Sequence, residues 1–493
     1  MNNPSQQSGT EAGSHGLRRQ LGLFDLLPMQ ILMVVGVTWA GLAARQGPTH
    51  VAFWLLGVLL LFLPVAGVVQ YCVKIWPLEG GVYQWTRHAL GPFAGFLSAW
   101  NFAIWALLVV SSLGITTATS LSYALGPAAA WMETSKSLIN TLSIGLFALI
   151  LLVNIPGLGL GRWVAHFGTA VTVLVTALLI GLLFIHPYAS RAHPHLSPQP
   201  AFSLAMPGMT LLSLNLFAKL TFNALTGLEQ VAVFAGETRD AARTILRSAW
   251  IAAPVIVLIY VSMAGAMLSY TPADRIDLTG PIPQVLAAAF DSGAGRSAGS
   301  SIDIGQLLGR GAILLLAVAT VAQFAIIVAE TARLPMVAAW DHLLPAWFTR
   351  LHPRFRTPTR SLAVIVLLAV LLCLLANAGS GNQEAFQVLV TCGNVSYAIN
   401  YLLMFSVPLV AGARFGRRPG LLLHGACTAG IMVTLLSIVF ALIPVVEVAS
   451  PGLYALKIAS TTLAANLVGA MLYWRAAAGG AGGGGAGGGK APA

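Results

Sequence analysis

The stretch Gly36-Val37-Thr38-Trp39-Ala40-Gly41 lies in the middle of an apolar run, and a second run carries Asn223-Ala224-Leu225-Thr226-Gly227 followed by Glu229. Each places glycine and small polar residues where a membrane helix would be at mid-depth. The two runs are the first and the sixth spans, five places apart in order, so the helices that hold them cross in opposite directions. That is the arrangement of an inverted repeat, in which paired broken helices turn half-helix ends toward a substrate at the midplane. Free N–H groups at a half-helix N-terminus can hold a carboxylate, and unwound carbonyls accept from an ammonium group or ligate a cation. A zwitterionic amino acid suits both ends. Small residues in membrane helices also serve close packing, so the glycines alone leave a packing role and a binding role open.

Working outward, 57% of the 493 residues are hydrophobic and 8% are charged. A soluble chain carries roughly a quarter charged residues, so the composition excludes a soluble protein and indicates a polytopic membrane protein. A bilayer core of about 30 Å needs about 20 apolar residues per helix. Twelve such runs are predicted, at 25–45, 51–73, 93–116, 138–155, 165–187, 209–235, 248–270, 304–332, 361–377, 384–411, 421–446 and 453–475. The first 20 residues are polar and read as a disordered cytoplasmic tail rather than a signal peptide. From 476 to 493 the chain is rich in Gly and Ala and reads as a flexible tail.

With both termini in the cytoplasm, the inner segments carry 18 Lys and Arg and the outer segments 7, and Lys219 lies inside a span. The positive-inside rule supports this topology in the cell membrane. The net charge of +11 is therefore an orientation signal and does not call for a nucleic-acid partner. The four cysteines, Cys72, Cys373, Cys392 and Cys427, lie in apolar surroundings without metal-like spacing, so no metal or cofactor is expected.

Three further stretches carry a resemblance. After the second span runs Pro77-Leu78-Glu79-Gly80-Gly81-Val82-Tyr83, then Leu90-Gly91-Pro92. In and after the sixth come Thr226-Gly227-Leu228-Glu229 and Ala235-Gly236-Glu237-Thr238-Arg239-Asp240, with Arg243 behind them. After the eighth comes Ala339-Trp340-Asp341-His342-Leu343-Leu344-Pro345. As an ordered set these resemble the amino acid-polyamine-organocation superfamily of secondary transporters, whose members carry Pro-x-x-Gly-Gly-x-Tyr, Gly-Phe-Glu with a following Ala-Gly-Glu, and Arg-Asp-Gly-x-Leu-Pro. The resemblance covers about residues 20–475.

It implies an all-α, LeuT-like fold of five plus five inverted helices with two appended C-terminal helices. The ten-helix core would span 21–411, with repeats at about 25–187 and 209–411, and the added pair 412–475. It also implies alternating-access transport of amino acids or related amines, with substrate at Gly36, Val37, Thr38, Trp39, Ala40 and Gly41 and at Asn223, Ala224, Leu225, Thr226 and Gly227. Two departures bear on the pocket. Thr38-Trp39-Ala40 stands where relatives usually have Gly-Ser-Gly, and Asn223 stands near the usual aromatic gate, a wall that Trp39 would supply instead.

Lys219 and Glu229 are the ionisable residues read as deepest in any span, and charges there are functional candidates by default. Glu229 matches the family's Gly-Phe-Glu carboxylate. Two roles stay open for it, bonding to the free backbone of the broken first helix and proton coupling. Lys219 is expected to reach the outer interface rather than Glu229. Glu237, Arg239, Asp240 and Arg243 are candidates for an inner gate, with a solvated loop as the alternative. His166 is expected to bond between helices. No Lys or Arg lies between Arg162 and Arg191, so a family device that replaces a sodium ion with a fifth-helix lysine is missing, and Thr172 stands nearby. Sodium would draw on hydroxyls such as that of Thr320; a proton or exchange is the preferred coupling. Gln323, Thr391, Asn394, Ser396 and Tyr397 are polar groups on the eighth and tenth helices, expected mostly to bond between helices.

An enzyme would need clustered catalytic groups, and the few ionisable residues are scattered. A channel would show filter repeats or charge rings. A transporter-like amino acid sensor without transport stays open beside a proton-coupled symporter or exchanger.

Overall fold

The computed structural model describes residues 20–76, 81–192, 201–278, 280–291, 304–337, 347–348, 350–379, 382–414, 419–444 and 450–482. The expected N-terminal tail, the motif Ala339 to Pro345, Pro77 to Gly80 and residues 483–493 lie outside these. Among the described residues, eleven helices are long and apolar enough to cross a membrane. They are Gly47–Ile75, Pro92–Leu125, Lys136–Asn154, Gly159–Ile185, Leu211–Phe234, Arg243–Tyr270, Gln306–Pro335, Thr359–Asn377, Phe386–Gly412, Leu421–Ala441 and Pro451–Ala476. A shorter pair, Leu23–Val34 and Val37–Ala44, makes the first crossing. Twelve crossings result, numbered here in chain order. The first falls short of a full span because it is broken, as the glycines at 36 and 41 predict.

The break has a local cause. Val35 and Gly36 are extended, with ψ 99° and 122°. A Cβ on Gly36 would lie 2.7 Å from the Trp39 ring, so only glycine fits there. In the sixth crossing, helix Leu211–Leu225 stops at Thr226, Gly227 takes φ +108°, and the chain resumes as the 3-10 segment Gln230–Glu237. That φ is costly for any residue with a Cβ.

The bundle is layered around these two crossings. Of the apolar window of the sixth, 78% is buried, against 17% for the twelfth, so the sixth is central and the last pair is appended at the edge. The first crossing packs along the fifth and seventh, and the tenth packs along the third and eleventh. Exposed leucines such as Leu463 and Leu467 on the twelfth face the surroundings, as lipid contact requires. The last helix continues to Gly482, into the stretch expected to be flexible tail. Ala476 to Ala478 extend it because alanine has the highest helix propensity.

Among the elements not expected from hydropathy, two border the site. A short helix, Pro281–Asp291, lies between the seventh and eighth crossings. The third crossing breaks into Pro92–Val110 and Leu113–Leu125 at Ser111-Ser112, whose hydroxyls donate to the carbonyls of Leu107 and Val109. Such back-bonding bends helices.

Candidate functional site

The two breaks meet. A cavity of about 110 Å³ lies between them, walled by Val34, Gly36 and Trp39 from the first crossing and by Asn223, Thr226 and Gln230 from the sixth. Opposite stand Ser112 and Thr116 of the third crossing, Thr320 and Gln323 of the eighth, and Asn394 and Tyr397 of the tenth. Gly280 and Pro283, at the start of the short helix, complete one end.

Breaking a helix inside a membrane frees backbone groups that must find partners. Side chains from three other crossings supply them. The Tyr260 hydroxyl donates to the Val34 carbonyl at 2.7 Å and accepts from the Gly36 N–H at 2.9 Å, which closes the first break from the seventh crossing. Gln323 Nε2 donates to the carbonyl of Leu32 at 2.6 Å and also reaches those of Met33 and Val35. At the second break the Gly227 N–H donates to the Tyr401 oxygen, and Gln30 Nε2 donates to the Leu228 carbonyl. The breaks are therefore held open by a frame of hydrogen bonds. Helix Val37–Ala44 starts at the cavity and helix Leu211–Leu225 ends there, so a partly positive and a partly negative helix end border the same space.

Among the described residues, two side chains that line the cavity hold a buried atom without a hydrogen-bond partner, the Asn394 Nδ2 donor and the Gln230 Oε1 acceptor. Buried polar atoms are nearly always bonded, and a ligand with both an acceptor and a donor would satisfy this pair.

The residues expected from sequence divide three ways. Gly36, Trp39, Asn223 and Thr226 line the cavity. Ala40, Ala224 and Leu225 are buried core, and Gly41 packs on Pro281, where a Cβ would lie 2.5 Å from the proline ring. Gly227 shapes the break. The side chains of Val37 and Thr38 lie outside the described residues. Ser112 and Thr116 were not singled out, although with Ser120 they recur every fourth residue and so share one helix face, a signal present in the sequence.

Among the described residues, Glu229 makes no bond to the broken first helix. Its carboxylate accepts from the hydroxyls of Tyr397 and of Tyr401, the latter at 2.5 Å, and it is 3% exposed. The first helix has no need of it, because Tyr260 and Gln323 already take its free groups. Tyr397 lines the cavity, so one side chain spans from the cavity wall to Glu229.

Lys219 is buried, and its Nζ donates to the carbonyl of Ile443, just past the end of the eleventh crossing. Among the described residues it does not pair with Glu229. It also borders a second cavity of about 40 Å³ with Gln387 and Ser437. Trp39, Asn223, Val390 and Asn394 line both cavities, so these four side chains form the wall between them.

At the N-terminal side the start of the first crossing is tied to the end of the sixth. The main-chain N–H groups of Gln20 and Leu21 donate to the Glu237 carbonyl, and that of Arg239 donates to Leu21. Arg333 Nε meets Glu237 Oε1 at 2.6 Å in a buried ion pair. Of the four charges expected as a gate, Glu237 is the one held in a buried ion pair, with a partner from the eighth crossing. Arg239 is exposed and contributes main chain, and Asp240 and Arg243 form an exposed pair at 3.3 Å. His166 approaches Asp25 at 3.4 Å and so bonds between the fifth and first crossings. Lys219 and Glu229 are not the only deeply placed charges: Glu330 in the eighth crossing is fully buried. It escaped the sequence reading because it sits two residues from the expected end of its run, where a charge is ordinary.

The profile of the amino acid permease family matches residues 21–468. An uncharacterized transporter of Mycobacterium tuberculosis (strain ATCC 25618 / H37Rv) is 29% identical over 387 residues, covering 76% of this chain and 78% of that protein. The branched-chain amino acid permease BcaP of Bacillus subtilis (strain 168) is 24% identical over 364 residues, covering 70% and 72%. Among solved structures, MhsT in complex with L-phenylalanine superposes with a TM-score of 0.58 at 14% identity, covering 85% of this chain and 98% of that one. This likeness bears on the fold, a LeuT-like bundle of five plus five inverted helices with two more appended.

Proposed function

The chain belongs to the amino acid permease family, a family of transporters and not of enzymes, and on that premise we propose that it moves an amino acid or related amine across the cell membrane by alternating access. We infer proton-coupled symport or exchange, with both termini in the cytoplasm. The observation that carries the reading is the cavity between the two breaks, with an unpartnered donor at Asn394 and an unpartnered acceptor at Gln230 beside oppositely polarised helix ends. A carboxylate pairs with Asn394 and the start of helix Val37–Ala44, and an ammonium group pairs with Gln230 and the carbonyls ending helix Leu211–Leu225. Trp39 closes the cavity on one side and the Glu237–Arg333 pair, with the Leu21 contacts, on the other. The 18 to 7 distribution of basic residues supports assigning the Glu237 side to the cytoplasm.

A thermal-shift screen of the purified protein against amino acids and amines tests binding. A ligand at a hundred times its Kd stabilises the native state by about 2.7 kcal/mol, enough to raise the melting temperature measurably. Counterflow of the hit in proteoliposomes then separates transport from binding alone. No shift from any amino acid or amine refutes the proposed substrate class.

A further inference from the structure

Glu330 is 0% exposed in the eighth crossing, and neither of its carboxylate oxygens has a hydrogen-bond partner among the described residues. An ionised carboxylate in such a place is among the most costly arrangements a membrane protein can hold, whereas the neutral acid costs far less. Among the described residues no cation bonds to it. Arg333 stands three residues on, one helical turn along the same face, yet it is committed elsewhere. Its Nε binds Glu237, its Nη1 donates to the Ala329 carbonyl at 2.7 Å, and its guanidinium lies 5.7 Å from the Phe234 ring centre. The titratable groups facing Glu330 are Glu229 of the sixth crossing, Tyr397 of the tenth, and Arg333 of its own helix, with Glu237 behind Arg333. Two buried acids thus share one region with one arginine between three carboxylates.

We propose that Glu330 is the site that carries the coupling proton, and that Arg333 changes partner from Glu237 to Glu330 when the Glu237 gate opens. The proposal rests on the transporter reading above and deepens it. With the gate shut, Arg333 neutralises Glu237 and Glu330 holds its proton. When the gate parts, Glu237 becomes hydrated and releases Arg333, which lies within one turn of Glu330. The O–H bond of the Glu330 acid then breaks, and the proton leaves to water on the opened side. The electron pair stays on the carboxylate, whose charge Arg333 now meets. Closing the gate returns Arg333 to Glu237, and the Glu330 O–H bond forms again with a proton delivered from water in the substrate cavity. Tyr397 and Glu229 connect it to the substrate cavity, because the Tyr397 hydroxyl lines the cavity and donates to Glu229, which faces Glu330. The protonation of one buried acid is in this way tied to one face of the transporter being open.

The test compares wild type with Glu330→Gln, which keeps the shape of the neutral acid and cannot lose a proton. In proteoliposomes with an imposed gradient of one pH unit, one proton per substrate supports up to about tenfold accumulation. Wild type accumulates substrate toward that ratio, and E330Q stays near an accumulation ratio of one while keeping counterflow. E330Q that accumulates like wild type, or wild type that transports without response to the gradient, overturns the proposal. Thermal unfolding in detergent is the second arm. A site that is neutral in the closed state tolerates glutamine, so E330Q melts with wild type at neutral pH, and a strongly destabilised E330Q also overturns the proposal. Wild type that binds substrate without any counterflow refutes the transport reading instead, and the unfolding arm still reports whether Glu330 is neutral.

Discussion

Tyr260→Phe removes one oxygen atom from the middle of the molecule and should cost more than its size suggests. Tyr260 is fully buried, and its ring stacks on Trp54 at 4.7 Å and 17°, a contact that phenylalanine preserves. What goes is the hydroxyl that donates to the Val34 carbonyl and accepts from the Gly36 N–H. Both backbone groups belong to the break in the first crossing, where no helical partner exists for Gly36. Leaving a buried polar group unpaired costs about 1–3 kcal/mol. Gln323 already reaches the neighbouring carbonyls and can take up part of the acceptor, so the sum for two groups is reduced to about 2–4 kcal/mol. The control is Tyr270→Phe, in the same crossing. Its hydroxyl donates at 3.0 Å to the carbonyl of Leu182, which lies inside the continuous helix Leu158–Ala192 and keeps its helical bond. That loss should be about 0.5–1.5 kcal/mol. Equilibrium unfolding by SDS in mixed micelles measures both. Y260F should be the less stable by about 2 kcal/mol at the middle of those two ranges and by at least about 0.5 kcal/mol. Equal losses for the two variants would refute the claim that Tyr260 completes a broken helix.

Three further outcomes follow from the site. Asn394→Leu deletes a donor that has no protein partner, so stability should barely change while substrate Kd rises about 10–100-fold, the loss of one hydrogen bond to a charged group; equal binding by scintillation proximity would remove Asn394 from the site. Trp39→Ala joins the two cavities it helps to separate, and competition in counterflow should show larger substrates accepted; an unchanged preference would mean that Trp39 is not part of the dividing wall. Breaking the buried pair by Arg333→Met should cost about 3–5 kcal/mol, because Glu237 is left buried and alone, and Glu237→Gln should cost less, because Arg333 keeps Glu330 within reach. The double variant should recover about 2 kcal/mol or more of the summed loss in unfolding measurements, and simple additivity would show that the two residues do not act on one another.

Much of this protein is written locally. Hydropathy alone yields twelve crossings, since each run must match the thickness of a bilayer, and the two interrupted runs are marked by glycines whose lack of a Cβ is a local property. Gly227 needs its positive φ and Gly36 needs room beside Trp39, and both demands are visible in neighbouring residues. The distribution of arginine and lysine carries an orientation for the same reason, because charge near a membrane acts through position along the chain. Which side chains line the cavity was decided elsewhere. Gly41 and Ala40 sit in the same short segment as Gly36 and Trp39 yet face packing, because the rotation of a helix about its axis is set by what it packs against. The partners of the breaks, Tyr260, Gln323 and Tyr401, lie 224, 291 and 174 residues away from the groups they satisfy, so no local pattern could name them. Glu237 finds Arg333 across 96 residues, and Glu330 is exceptional only because Arg333 turns away from it. Composition and spacing thus determine a membrane bundle with two broken helices, and tertiary packing determines which charge each buried group meets.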